Sequence, residues 1–412
     1  MTGGVRAAPR RILLADVDAF YVAVARRVDP EGAGRARLLI VGGAAESRGV
    51  VCSASYETRL FGVRSAMPTA TALRLCPGAL CVPIPRRACA EASRAVQAVL
   101  ERFTPVVEAA SIDEWFLDLG GTSTLYRGEP LAATGQRIRA AVSRETGLSI
   151  SVGGGTSKLV AKLAVQRAKP SGADAGSGVH VVQPGAEAEF LAGLALGDLP
   201  QVGPRLQQRL AELGLRDVSD VLRRGTVELR SALGDRLGAW LHERASGRDA
   251  DPVRPRLRAV SISRDETFAA DLDADEDLER ELLRLVVRAA SDLRGQGLDA
   301  RTVTVRIRDA DFRRRQASRT LARGVGSERV VYSVARDLLR RLRQARRMPA
   351  RLLGVALSSL SSGAEAPGLF ADDRREDETP RERALSRAVD ALRAKYGPDG
   401  VLPGGLHERA PR

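Results

Sequence analysis

The chain has 412 residues, a hydrophobic fraction of 44% and a formal net charge of +14. At roughly 100–200 residues per domain, this length predicts two to four domains. No apolar run approaches the ~20 residues that a membrane-spanning helix needs, and Asp16 interrupts the first apolar stretch before it reaches signal-peptide length. We therefore expect a cytoplasmic protein, and the positive charge favours nucleic acid over an anionic membrane as its partner.

Strands and helices alternate over the first 170 residues, as is typical of an α+β region. Residues 11–18 (RILLADVD) predict a short buried strand that ends in carboxylates, and residues 19–29 predict a helix. The pattern then predicts strands over 38–41, 50–54, 106–109, 112–118 and 148–153, and helices over 66–75, 86–103, 130–146 and 157–168.

The second half of the chain differs in composition from the first. Residues 190–247 predict several short helices, residues 249–258 a charged linker that contains prolines, and residues 259–360 a β-α-β-α-β order. Residues 301–350 hold fifteen Arg and four acidic residues, and their alternating pattern predicts a strand with one basic face. A folded basic sheet matches a phosphate backbone. The tail predicts a final helix over 382–395.

Four carboxylates occur in or beside two predicted strands. Asp16 and Asp18 end the first strand two residues apart, so both point to one face, and Asp113-Glu114 lies within the apolar segment SIDEWFLDL. Mg²⁺ binds such oxygen ligands, although strand-end acids exposed to water or paired with arginine give the same pattern. A regular strand aims Asp113 and Glu114 to opposite faces, so both serve one site only if the strand bends or ends there.

Lysine is rare and clustered in this chain. There are 61 Arg and only four Lys, and Lys158, Lys162 and Lys169 fall within twelve residues. A lysine ammonium meets phosphate as a compact point charge, whereas the guanidinium of arginine is a planar fork, so the three lysines could have a role that arginine fills poorly. Clustering of the lysines by chance is the alternative. The preceding GGGTSK (153–158) lacks the Gly-Lys-Ser/Thr order of a Walker loop, and its glycines fit either tight strand-to-helix packing or an anion near the helix start.

Several segments together resemble the Y-family DNA polymerases, specifically the bacterial DinB type. The resemblance covers about residues 10–360, with a weaker match at SISRDETF (261–268). Five blocks match in order: LLADVDAFYVAV (13–24), VCSASYETRLFGVRSAMP (51–68), SIDEWFLDL (111–119), SKLVAKLAVQRAKPSG (157–172) and LPQVGPRLQQRLAELGL (199–215).

The resemblance implies an α+β right-hand polymerase with palm, small fingers, helical thumb and a βαββαβ-like little finger. The domains would be a palm at 10–22 and 82–178, fingers at 23–81, a helix-hairpin-helix thumb at 179–248, a little finger at 256–361 and a partly flexible tail at 362–412. The implied activity is template-directed, low-fidelity DNA synthesis across lesions, without proofreading, by a two-metal mechanism.

The same resemblance assigns site residues. Asp16, Asp113 and Glu114 would be the catalytic carboxylates and bind two Mg²⁺ ions with the Val17 carbonyl, and Tyr21 would be the steric gate against a ribose 2′-OH. The incoming triphosphate would contact Ser53, Tyr56, Arg59 and Lys169. The candidate DNA contacts are Gly203, Arg205, Arg264, Arg306 and Arg308.

Two departures from the family pattern affect partners. The thumb turn reads Pro200-Gln201-Val202-Gly203, where the family usually has glycine second, so we expect an altered turn. The sliding-clamp peptide of the family keeps only its end here, at Gly368-Leu369-Phe370, where an ordinary linker is the alternative. The other expected partners are primer-template DNA and dNTP, and we expect a monomer.

Two other functions stay open from the sequence. One is a catalytically inactive, polymerase-like protein that binds DNA as an accessory, although the intact Asp16, Asp113 and Glu114 set argues against it. The other is an aspartyl phosphatase, because DVDAF contains the Asp-x-Asp that such enzymes place at a strand end. The phosphatase match is weak at Phe20, and it leaves the basic C-terminal half unexplained.

Overall fold

The computed structural model describes residues 9–122, 124–126, 128–170, 177–255, 259–362, 378–397 and 400–406. The chain divides into two compact units, one of Met1–Ala45 with Gly49–Leu257 and one of Glu46–Arg48 with Arg258–Arg412. In the described part of the chain, no helix is both long enough and apolar enough to cross a bilayer.

A five-stranded sheet organises the first unit, in the order β5-β6-β1-β7-β8. Its strands are β1 (Ile12–Val17), β5 (Val107–Ala109), β6 (Glu114–Asp118), β7 (Ile150–Gly155) and β8 (Val179–Val181). Helices α4 (Arg86–Leu100) and α5 (Leu131–Thr146) pack on one face, and α6 (Lys158–Ala168) packs on the other. Because both faces are covered, β1 is buried along its whole length, which explains its continuous apolar run.

A smaller sheet in the same unit has the order β3-β2-β4. Its strands are β2 (Leu39–Gly42), β3 (Val51–Ala54) and β4 (Leu80–Val82), with helices α1 (Phe20–Val28), α2 (Tyr56–Arg59) and α3 (Thr69–Leu75) around them. The sequence did not predict β4, which has three residues and exists through parallel pairing with β2. The helix predicted from residue 66 begins at Thr69, since Ala66 has a left-handed φ of 66° and Pro68 caps the helix.

Helices α7 (Glu187–Ala192), α8 (Pro204–Glu212), α9 (Val218–Leu233) and α10 (Asp235–Ala245) complete the described part of this unit. They enclose a leucine-rich core that includes Leu196, Leu210, Leu229 and Leu241. The short helices predicted over 190–247 are therefore present.

The second unit has a four-stranded antiparallel sheet in the order β11-β10-β12-β9. The elements run β9 (Ser261–Leu272), α11 (Asp275–Gly295), β10 (Leu298–Asp309), β11 (Arg314–Val325), α12 (Glu328–Ala345) and β12 (Ala350–Ser362). Helices α11 and α12 cover one face, and α13 (Pro380–Tyr396) also belongs to this unit. The observed βαββαβ order has one strand more than the periodicity predicted, because β11 (RRQASRTLARGV) carries few apolar residues.

Candidate active site

Two of the predicted carboxylates face each other across neighbouring strands. Asp16 on β1 pairs in register with Glu114 on β6, and Asp16 is almost wholly buried. β6 begins at Glu114, so Asp113 precedes the strand. The alternation of side chains between the two faces of a strand therefore does not apply to this pair of residues. The strand therefore ends between Asp113 and Glu114, which is the condition under which both acids can serve one site.

The charges at this pair are balanced by two lysines. Burial, partly offset by the Lys169 ammonium 2.8 Å from Asp16 Oδ2, raises the pKa of Asp16 to about 7. Burial also acts on Glu114, but a hydrogen bond from Lys162 and its positive charge hold the pKa of Glu114 below its usual value. A raised and a lowered pKa in adjacent carboxylates are typical of functional sites.

Asp113 stands apart from this pair in its contacts. Its carboxylate accepts a hydrogen bond of 2.5 Å from Ser111 Oγ, and its carbonyl accepts one of 3.0 Å from the Val17 amide. Among the residues that the structure describes, no three His, Cys, Asp or Glu side chains are grouped closely enough to hold a metal ion. The oxygens of Asp16 and Glu114 still fit Mg²⁺, which in proteins often spans one or two carboxylates and substrate phosphates.

Asp18 has a fixed position that the sequence did not reveal. Ser149 Oγ donates a hydrogen bond of 2.7 Å to Asp18 Oδ2, and Ser151 Oγ donates one of 2.7 Å to Asp18 Oδ1. The two serines alternate with apolar residues in the segment LSISVG, with Ser149 just before β7 and Ser151 within it, so both point to the same side. That alternation indicates a polar contact for the two serines, but it does not identify Asp18 as their partner.

The lysine cluster lies on one surface of α6 and just beyond it. A Cβ at Gly153 would lie 2.2 Å from the Ala161 carbonyl oxygen, so the absence of a side chain allows α6 to approach β7 closely. The packing interpretation of the glycines is therefore correct. Each clustered lysine pairs with one carboxylate of the sheet: Lys158 with Glu108, Lys162 with Glu114 and Lys169 with Asp16.

The candidate triphosphate residues Ser53, Tyr56 and Arg59 lie on β3 and α2. The Tyr56 hydroxyl is buried and has no hydrogen-bond partner among the described residues. Burial and the nearby Asp18 carboxylate raise the pKa of Tyr56 to about 12, so the hydroxyl stays a donor. The Arg59 guanidinium lies 4.8 Å from the centre of the Tyr56 ring. An orphaned donor beside a guanidinium suits an anionic ligand.

The candidate steric gate, Tyr21, lies in the first turn of α1. This turn follows Ala19, whose φ of 45° is left-handed, and the Tyr21 ring meets Phe20 edge-on at 5.3 Å. Burial, followed by the influence of Cys52 and Asp113, raises the pKa of Tyr21 to about 12. The ring is thus half-buried in the neighbourhood of one of the candidate catalytic acids.

The turn before α8 places a left-handed residue at the position where the family usually has glycine. Gln201 adopts a left-handed φ of 75°, and the Val202 amide donates to the Leu199 carbonyl at 3.1 Å. The expectation that this turn differs from that of the family therefore stays a prediction. Gly203 caps the start of α8, and Arg205 is exposed in its first turn.

The candidate DNA contacts of the second unit divide between two faces of its sheet. Arg306 and Arg308 lie on the face opposite α11 and α12, together with the hydroxyls of Thr302 and Thr304. Arg264 pairs in register with the buried Val355 and forms an ion pair with Asp292 of α11. Strand alternation therefore puts Arg264 on the helix-covered face, opposite Arg306, and its role as a DNA contact stays a prediction.

Three family models match the chain. Residues 15–166 match the impB/mucB/samB family, residues 259–369 its C-terminal domain, and residues 197–249 the thumb domain of DNA polymerase iota. DNA polymerase IV of Desulfatibacillum aliphaticivorans is 37% identical over 96% of this chain and 96% of its own length. DNA polymerase IV of Caulobacter vibrioides is 37% identical over 94% of this chain and 92% of its length.

Solved structures give the same result for the fold. A Y-family DNA polymerase chimera of Dbh and Dpo4 superposes with a TM-score of 0.74 at 24% identity. The match spans 85% of this chain and 98% of the chimera. An insertion ternary complex of Dbh DNA polymerase has a TM-score of 0.59 at 25% identity, and the match spans 84% of this chain and 98% of the Dbh chain. The chain therefore belongs to the Y-family of DNA polymerases and is a DNA-directed DNA polymerase. Within that family it belongs with the DNA polymerase IV proteins, so the aspartyl phosphatase hypothesis is wrong.

Proposed function

We propose that this chain adds deoxynucleotides to a primer 3′-OH opposite a template strand, with low fidelity and as a part of translesion synthesis. The observation that carries the proposal is the buried Asp16–Glu114 pair, held between Lys169 and Lys162. Solved relatives described as ternary complexes support primer-template DNA and dNTP as ligands.

Two Mg²⁺ ions are the proposed cofactors. Asp16, Glu114 and the Val17 carbonyl would hold them, together with Asp113 once its carboxylate leaves Ser111. When bound, such ions make the 3′-OH a better nucleophile and neutralise charge on the triphosphate. The raised pKa of Asp16 fits this role. Burial makes its charged form unfavourable, and a bound cation would stabilise that form.

The side chains around the carboxylates would bind and orient the nucleotide. Ser53 and the unpartnered Tyr56 hydroxyl donate to phosphate oxygens, while Arg59 and Lys169 supply positive charge. Lys169 contacts Asp16 in the free protein, so phosphate would compete with Asp16 for its ammonium. On the DNA, Gly203, Arg205, Arg306 and Arg308 would contact the phosphate backbone. Clamp binding at Gly368–Phe370 lies outside the described residues, and it stays a prediction, as does the monomeric state.

Primer extension tests the carboxylates directly. Replacing Glu114 by Gln should lower the extension rate at least about 100-fold, because the ligand charge is lost while the side-chain shape is kept. Glu91→Gln, which alters an exposed carboxylate on α4 that pairs with Arg87, is the matched control and should extend primers normally. If the wild type and Glu114→Gln are equally inert but bind primer-template, the accessory-protein alternative holds instead.

Sugar selection tests the role of Tyr21. Tyr21→Ala should admit ribonucleotides, because the ring that meets the 2′-OH is removed, and the ratio of dNTP to rNTP incorporation should fall by about 10-fold or more. Tyr21→Phe keeps the ring and should retain selection. Unchanged discrimination in Tyr21→Ala would rule out the steric-gate role.

A further inference from the structure

The loop that joins β10 to β11 exposes an aromatic side chain. Phe312 is 60% exposed, and its φ of 67° lies in the left-handed region that bulky residues rarely adopt. The Phe312 amide donates to the Asp309 carbonyl at 2.9 Å, which fixes this conformation. Strained backbone of this kind collects at functional sites, where the surrounding structure holds it in place.

Arginines hold the base of this loop rigidly. Asp309 is wholly buried and accepts two hydrogen bonds from Arg315, at 2.8 and 2.9 Å, and one of 2.6 Å from Arg346. Arg346 also pairs with Asp311 at 2.7 Å. Both acids of the loop are thus committed to arginines, so the charge that remains around Phe312 is positive.

Three further arginines lie at this end of the sheet, one at the Phe312 ring and two in the strands β10 and β11. The Arg351 guanidinium lies 4.7 Å from the centre of the Phe312 ring. Arg308 and Arg314 lie directly opposite each other in the β10–β11 ladder, and within the described part of the chain neither forms a salt bridge with a carboxylate. They line a groove of about 630 Å³ together with Asp265, whose carboxylate is paired with Arg306 at 3.4 Å. Like charges directly opposed destabilise a sheet, so this pair favours an anion between them.

We propose that Phe312 stacks on an unpaired base of single-stranded DNA, while Arg308 and Arg314 bind the neighbouring phosphates. The proposal deepens the proposed function, on which it rests for DNA as the ligand. Duplex DNA buries the faces of its bases in its own stack, whereas a single strand offers them to an aromatic ring. Binding of single strands typically combines such a ring with a basic groove. A protein partner with an acidic, apolar surface is the competing occupant.

Binding of labelled oligothymidylate, followed by fluorescence anisotropy, tests the stacking. Phe312→Ala should weaken binding by about ten-fold, a typical loss for one stacked base. An oligomer of the same length built of abasic sites keeps the phosphates and lacks the bases, so it should bind the wild type and Phe312→Ala equally. Leu385→Ala, which removes another exposed apolar side chain of this unit, is the control and should bind oligothymidylate like the wild type.

A tryptophan at the loop gives a local readout once the emission of Trp115 and Trp240, measured in the wild type under the same conditions, is subtracted. The emission of Phe312→Trp should change when oligothymidylate binds and stay constant with the abasic oligomer or a blunt duplex. Equal affinity of wild type and Phe312→Ala, an equal loss on the abasic oligomer, or the same response to blunt duplex would each overturn the proposal. No catalysis is measured, so an inert primer-extension reaction would defeat the proposed function without touching this result.

Discussion

At the residue scale, the site depends on carboxylates that are held next to lysines. Asp16 and Glu114 are costly to bury as charges, and Lys169 and Lys162 offset that cost in the free protein. The sequence indicated that three clustered lysines in an arginine-rich chain have a role. It did not indicate which acid each would meet, because that pairing depends on how α6 crosses the sheet.

Gln201 is a second residue whose role depends on its backbone. It has a φ of 75° at the turn before α8, where an L side chain is strained and glycine is not. Gln201→Gly should therefore raise the free energy of unfolding by about 0.5–1 kcal/mol, measured by urea denaturation. Relief of strain outweighs the added freedom of glycine in the unfolded chain.

Gln208 provides a matched control for that substitution. It is exposed within α8, so Gln208→Gly should lower the free energy of unfolding by about 0.5–1 kcal/mol. Opposite signs for the two substitutions are expected. The same sign for both would show that the φ of Gln201 carries no strain.

At the element scale, α13 packs in an unusual orientation. Its charged residues Asp390 and Arg393 face α11 and the start of α12, whereas Leu385, Leu392 and Tyr396 are exposed. Asp390 accepts two hydrogen bonds from Arg294, at 2.6 and 2.7 Å, and Arg393 pairs with Glu328. The periodicity of the tail predicted this helix, but amphipathicity alone would have turned the apolar side inward.

Removing one partner of this network should destabilise the second unit. Asp390→Ala leaves the nearly buried Arg294 without two of its hydrogen bonds and should lower the free energy of unfolding by about 3 kcal/mol. Hydrogen exchange should show the loss first in the amides of α13. Glu91→Ala, which breaks an exposed i,i+4 pair with Arg87, should leave stability unchanged. Equal effects of the two substitutions would show that α13 is held by other contacts.

At the scale of the whole molecule, two units bury separate cores. Within the second unit, the face of the sheet opposite α11 and α12 carries Arg306 and Arg308, in keeping with the net charge of +14. The strand predicted with one basic face is β10, and its apolar side, Val303, Val305 and Ile307, lies in the core under α11 and α12. Charge and alternation together were enough to predict that arrangement.

The sequence by itself determined the family, the fold class, most helices and the buried strands, because these follow from local periodicity and from motifs read in order. The short strands β4 and β8 and the hairpin strand β11 were decided by pairing between distant segments, which local patterns do not record. The tertiary structure also decided that Asp16 meets Glu114 while Asp113 turns to Ser111, and that Arg264 faces a helix. Strand register and helix crossing set those contacts, and both arise only when the whole sheet assembles.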